Sequence, residues 1–196
     1  MAHAAPPPAP SIERLHALLR ALSVARRPVK LASGAESDIY VDCKQTALHP
    51  EGAAALGVHL LAAVEAIEAR TGRTATGVGG MSIGADPLAT AVSLAAWQRG
   101  RHLPAFLVRK TPKAHGTAVW LEGMANLRDQ GAVILLEDVV TTGGSTLAAA
   151  ARVREAGLIP FGVACIVDRG AGGRAALEAD GLTVESLFDL DRFASP

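Results

Sequence analysis

No charge of either sign is in excess: 19 lysines and arginines balance 19 aspartates and glutamates. That excludes the basic surface on which a nucleic-acid-binding domain depends. Cysteine is scarce. Cys43 and Cys165 stand far apart, and neither has a partner at metal-ligand spacing. Both lie in strand-like surroundings and read as reduced thiols of a cytoplasmic protein. No apolar stretch is expected to span a membrane. The opening MAHAAPPPAP has neither a charged n-region nor an apolar h-region, so residues 1–10 read as a disordered or extended tail rather than a secretory signal. Repeats, other low-complexity tracts and a second domain are not apparent. What is present is apolar mass, 49% of 196 residues. It is enough for one soluble, intracellular domain over residues 11–196 with a substantial core.

The most informative stretch is residues 132–146, AVILLEDVVTTGGST. Ala132 to Leu136 have the length and composition of a strand buried on both faces. Glu137 and Asp138 end that run. A turn of small hydroxyl and glycine residues follows, and then the helix-favouring LAAAARVREAG. Backbone N–H groups in such a turn, backed by a helix N-terminus, form a cradle for a phosphate dianion. The carboxylates would repel a phosphate but suit hydroxyl groups or a metal ion. A ligand with a phosphate at one end and a diol a few ångströms away, a ribose 5-phosphate, fits both halves. Glycines between strand and helix also serve close packing alone, so it is the acidic pair that favours a ligand. Neither a Walker lysine nor a GxGxxG spacing is present.

The chain in order alternates strands and helices. Ser11 is a candidate N-cap, with Ile12, Leu15, Leu18, Leu19 and Leu22 at helical spacing. Pro28 is expected to end that segment. Residues 29–43 read as two short strands around a Ser33-Gly34 turn, with Tyr40 either a buried strand residue or part of a site. Pro50 suits a first helical turn, Thr71-Gly72 a stop, and Thr74–Gly79 a strand. Gly80-Met81-Ser82-Ile83-Gly84 then leads into an alanine-rich helix ending near Trp97. Its glycines allow either tight packing or exposed backbone amides for an anion. Residues 104–109 form a strand, followed by Arg109, Lys110, Lys113 and His115 within seven residues, with Pro112 and Gly116 arguing for a loop. Such a run is either a solvated face or a closing anion-binding loop. Ile159–Val167 is a buried strand ending in Asp168-Arg169-Gly170. Residues 173–180 are a short helix, and Thr183–Leu187 a last strand.

Five segments, in order across most of residues 12–190, resemble the orotate phosphoribosyltransferases, type I phosphoribosyltransferases that use phosphoribosyl diphosphate (PRPP). They are the Ser33-Gly34 turn with Tyr40-x-Asp42, Gly80-Met81-Ser82-Ile83-Gly84-Ala85-Asp86, Arg109-Lys110-x-x-Lys113-x-His115-Gly116, Glu137-Asp138-Val139-Val140-Thr141-Thr142-Gly143-Gly144-Ser145, and Glu185-Ser186-Leu187-Phe188. The resemblance implies an α/β fold, a Rossmann-like, mostly parallel sheet flanked by helices. A small N-terminal hood would occupy about residues 12–45, and a flexible catalytic loop about residues 109–123. It implies transfer of ribose 5-phosphate from PRPP to orotate, in pyrimidine (UMP) biosynthesis. PRPP would be held by Arg109, Lys110, Lys113, His115, Glu137, Asp138, Val139, Val140, Thr141, Thr142, Gly143, Gly144 and Ser145. Orotate would meet Thr141, Arg169, Ser33, Gly34 and Lys44, and the catalytic residues would be Lys113, Glu137 and Asp138. Mg²⁺ would arrive mainly on the diphosphate, water-bridged to Asp138, without protein ligands of its own. A homodimer with shared active sites is implied, without nucleic-acid or membrane partners. Two family lysines are absent, at Ala32 and Ile83. The alternatives are a PRPP-sensing regulator on the same fold and a purine phosphoribosyltransferase.

Overall fold

The computed structural model describes residues 10–30, 36–112, 120–127 and 130–194. Ser33, Gly34, Lys113, His115 and the expected tail at residues 1–9 lie outside the described residues. The elements follow the amphipathic and buried runs of the sequence. They are α1 (Ile12–Leu22), β1 (Val24–Lys30), β2 (Glu36–Val41), α2 (Lys44–Ala47), α3 (Pro50–Thr71), β3 (Gly77–Met81), α4 (Asp86–Gln98), β4 (Ala105–Val108), β5 (Leu121–Glu122), β6 (Ala132–Val140), α5 (Gly144–Glu155), β7 (Ile159–Asp168), α6 (Gly173–Ala179) and β8 (Thr183–Asp189).

Six strands form one sheet in the order β5-β4-β3-β6-β7-β8. All its pairings are parallel except β4 with β5. Crossover helices must then lie on both faces. One core joins α1, α3 and α4 to the sheet through Leu56, Leu60, Val64, Leu88 and Ile134. The other joins α5 and α6 through Val133, Leu135, Ala150, Val153 and Leu177. β1 and β2 form a separate antiparallel hairpin.

Several boundaries differ from expectation. Pro28 does not end the first segment: Leu22 ends α1, and Pro28 sits inside β1, where the register to β2 shifts between Arg26 and Val29. Proline has no N–H for a ladder, and such an irregularity accommodates it. Cys43 is not in a strand but is the buried N-cap residue of α2, whereas Cys165 lies in β7. Burial pushes both thiols up, which leaves them inert. The third strand starts three residues later than expected and runs to Met81. β6 continues through the acidic pair to Val140, because the ladder with β7 continues to Val140 opposite Asp168. The expectation that no stretch could span a membrane is also corrected. α3 has 22 residues and a window of mean hydropathy 1.4, long and apolar enough by composition. Half of that window is buried, so α3 is accounted for as a core helix.

β3 reads GVGGM and is buried along its whole length between β4 and β6. A Cβ on Gly79 would stand 2.1 Å from the Phe106 carbonyl oxygen and 2.7 Å from its ring. Gly79→Ala should therefore destabilise the protein by about 1–3 kcal/mol, the scale of an overpacked core. Denaturant unfolding checks this; an unchanged midpoint would mean that β3 can move aside.

Candidate active site

The crossovers leave β3 and β6 in opposite directions, β3 through α4 to β4 and β6 through α5 to β7. Where neighbouring strands diverge in this way, a crevice opens beyond their carboxyl ends. The turn after β6 lies there. Gly143 takes the left-handed conformation at φ 79 and caps α5, a conformation that favours glycine. The first amide bonded back into the helix is Leu147 N–H, to the Gly143 carbonyl at 2.9 Å. The first-turn amides of Gly144, Ser145 and Thr146 thus lack intrahelical acceptors by geometry, and the helix dipole adds to their pull on an anion. Glu137 and residues 139–146 line a cleft of about 180 Å³. α6 supports this turn from outside: Gly173 N–H donates to the Thr141 carbonyl at 3.0 Å.

The two carboxylates take different partners, as successive strand residues do. Glu137 is buried and accepts a 2.8 Å hydrogen bond from Thr146 Oγ1 on α5. Burial, and then the charge of Asp138, pushes its carboxyl up to about 8. Asp138 is turned toward α2 and the β3–α4 turn. Lys44 Nζ lies 3.6 Å from its Oδ2, and a Cβ on Gly84 would come within 2.9 Å of its Oδ1. Lys44 is also held by Asp42 at 2.7 Å, and this hydrogen bond raises its pKa. After β3, Ser82 Oγ donates to Asp86 Oδ1 at 2.8 Å and Ser82 N–H to the Val108 carbonyl at 2.8 Å, which fixes that turn.

Arg169 joins the β1–β2 hairpin to the sheet. Its N–H donates to the Val140 carbonyl at 2.9 Å, and its Nη2 to the Ile39 carbonyl of β2 at 3.0 Å. Its neighbour Asp168 pairs with Arg174 at 2.8 Å, and Arg174 also reaches the Val184 carbonyl and Ser186. A half-buried fork with an acid, a carbonyl and a hydroxyl to bind fixes α6 against β7 and β8.

Comparison with known proteins identifies the family. The chain is 46% identical over 175 residues to the orotate phosphoribosyltransferase of Sorangium cellulosum, spanning 89% of this chain and 88% of that one. It is 41% identical over 182 residues to that of Rhodopseudomonas palustris, spanning 92% and 94%. The chain belongs to the orotate phosphoribosyltransferase family. Among solved structures, the Mycobacterium tuberculosis orotate phosphoribosyltransferase in complex with PRPP superposes with a TM-score of 0.74 at 36% identity, covering 95% of this chain and 100% of that one. No protein-family model matches.

As a member of this family the chain is a pentosyltransferase, and the remaining expected residues can be located on that basis. Arg109 and Lys110 follow β4, on the same edge of the sheet as the crevice. The Arg109 guanidinium is engaged by Glu122 at 3.0 Å and by the Thr111 carbonyl at 3.2 Å, while Lys110 is exposed. Thr146, Arg174 and Arg152, which braces the β4 end, were not singled out by sequence. Thr146 lies inside the glycine-rich motif, nine residues past Glu137, and could have been found there. The two arginines act across the fold and leave no local signal.

The raised Glu137 carboxyl has a consequence for stability. Between its ordinary value and about 8, the folded state keeps a proton that the unfolded chain has released. Its contribution is therefore complete at acid pH and is lost as pH rises through that window. In ligand-free protein, the melting temperature of Glu137→Gln relative to the wild type should climb from pH 5 to pH 8, measured by calorimetry. A difference that stays flat with pH would contradict the raised carboxyl.

Proposed function

We propose that the chain transfers the ribose 5-phosphate group of PRPP to orotate, yielding orotidine 5′-monophosphate and pyrophosphate. One observation carries the assignment of the site. A glycine-rich helix N-terminus and a partly exposed carboxylate, Asp138, flank one crevice at the divergence of β3 and β6. Thr141 to Ser145, with Val139 and Val140 behind them, bind the 5′-phosphate. Asp138 and Glu137 face the ribose hydroxyls. The C1–oxygen bond to diphosphate breaks, the electron pair leaves with the diphosphate, and an orotate ring nitrogen forms the new bond. The charge of orotate is on its carboxylate and the attacking ring nitrogen carries a proton, which passes to the departing diphosphate or to solvent as the new bond forms. The ring becomes oxocarbenium-like as this happens, and the Asp138 carboxylate offsets its charge. Arg109, Lys110, Lys113 and His115 receive the growing charge on the diphosphate, with Lys113 the largest contributor.

Orotate lies under the hood against Arg169, Thr141, Lys44 and the Ser33-Gly34 turn. The Arg169 bond to β2 supports this, because it brings a guanidinium to the junction of hood and sheet. Mg²⁺ enters as part of the substrate, on the diphosphate. Among the described residues no cluster of three or more His, Cys, Asp or Glu side chains could hold an ion unaided. Asp138, with 17% of its side chain exposed, can still contact the ion's water shell.

The enzyme acts as a cytoplasmic homodimer with shared sites. Leu94 and Trp97, three residues apart on α4, are 57% and 70% exposed, and exposed apolar side chains on one helix favour a second copy. The reading is favoured over a PRPP sensor or a purine enzyme by the identity to orotate phosphoribosyltransferases over most of the chain.

Orotate consumption, followed by its ultraviolet absorbance with PRPP and Mg²⁺, should be rapid, with uracil and hypoxanthine inert. PRPP binding without turnover of any base would favour the sensor. Lys113→Ala should lower kcat by about two orders of magnitude or more, the scale of one lost transition-state donor. If sites are shared, mixing Lys113→Ala with Asp138→Asn protein should restore part of the activity. No recovery after verified subunit exchange would argue against sharing.

A further inference from the structure

Arg152 lies eight residues past the first residue of α5, about 12 Å along the axis from the phosphate cradle. Its guanidinium does not serve the helix. Nη1 donates to the Arg109 carbonyl and Nη2 to the Lys110 carbonyl at 3.4 Å. The same group lies 3.9 Å from the centroid of the Trp120 ring, and Nη1 is 3.5 Å from Met81 Sδ at the end of β3. Arg109 and Trp120 are themselves joined, Arg109 N–H to the Trp120 carbonyl at 2.8 Å. One side chain therefore grips both stems of the connection between β4 and β5.

We infer that Arg152 is a positioning residue for phosphoribosyl transfer: it holds Arg109 and Lys110 at a fixed distance from the cradle that opens its own helix. The inference rests on the proposed function above. A planar guanidinium can stack on an indole and donate in its own plane at once, which an ammonium cannot. Its acceptors are the main-chain carbonyls of the two residues whose cationic side chains begin the basic segment. Fixing those carbonyls restricts the backbone torsions that aim the side chains. Arg109 braces the second stem through Glu122. α5 thus acts as a rigid spacer between the group that binds the 5′-phosphate and the stems that carry charge to the diphosphate. These are the two ends of the same substrate.

The test is steady-state kinetics of Arg152→Met, which keeps an apolar stem and removes every donor, with Arg152→Lys and Trp120→Leu alongside. Ribose 5-phosphate, as a competitive inhibitor, reports on the cradle and the carboxylates without the diphosphate contacts. Arg152→Met should lower kcat about tenfold or more, as misplacement by a fraction of an ångström does, and raise KM for PRPP. KM for orotate and the inhibition constant for ribose 5-phosphate should stay within about twofold, since only the stems are released. Arg152→Lys should recover part of the loss. Trp120→Leu, the milder variant, should show the same split even if Arg152→Met fails to fold. Normal kcat and KM for PRPP in Arg152→Met, or a parallel loss of ribose 5-phosphate binding, would overturn the inference while leaving the function intact. Wild-type protein that binds ribose 5-phosphate but consumes no orotate would instead overturn the functional reading, and this inference with it.

Discussion

The parallel pairing of β3 with β6 is the constraint on which the rest of the structure depends. Gly77 to Gly79 align with Val133 to Leu135. Beyond that register the two strands release their chains in opposite directions. The crevice at their ends is therefore a product of topology, and the residues that follow each strand are delivered to it by main-chain hydrogen bonds. The small residues of β3 make the pairing possible, because β4 and β6 approach it closely on both edges. The cost is that β3 supplies little apolar surface, and α3, α4 and the long buried strands β6 and β7 supply it instead.

Around this crevice, the carboxyl groups of Glu137, Asp138 and Asp168 each have a partner on another element. Glu137 is covered by Thr146 from α5, and Asp138 faces Lys44 from α2. Asp168 is held by Arg174 from α6. An isolated charge in such surroundings would be neutralised or drawn to solvent. The pairs consequently tie α2, α5 and α6 to the sheet's carboxyl edge while leaving the cradle amides for a ligand. The β1–β2 hairpin is held to the sheet through Arg169 on the Ile39 carbonyl. Ligand site and element contacts share groups, so changes in one are felt in the other.

Most of the fold was legible in the sequence because its signals are local. Buried strands read as continuous apolar runs, Pro50 marked the start of α3, and Ser11 marked that of α1, where its Oγ accepts from Arg14 N–H at 3.3 Å. Errors fell where a partner overrode a local cue. Pro28 looked like a terminator, yet the β1–β2 ladder tolerates it at an irregularity. The acidic pair looked like the end of a strand, yet pairing with β7 carried β6 on to Val140.

The sequence by itself determined the chemistry available at the site: the glycine-rich turn, the adjacent carboxylates, the basic run after β4 and the family these place the chain in. Those are properties of neighbouring residues, and residue types at short spacing are enough to specify them. Only the tertiary structure decided which carboxylate is buried and which faces α2, that Asp168 pairs with Arg174, and that Arg152 grips the stems of the basic segment. Each of these depends on which elements pack against one another, and a side chain finds an acceptor forty or a hundred residues away only once the sheet order has brought it within reach.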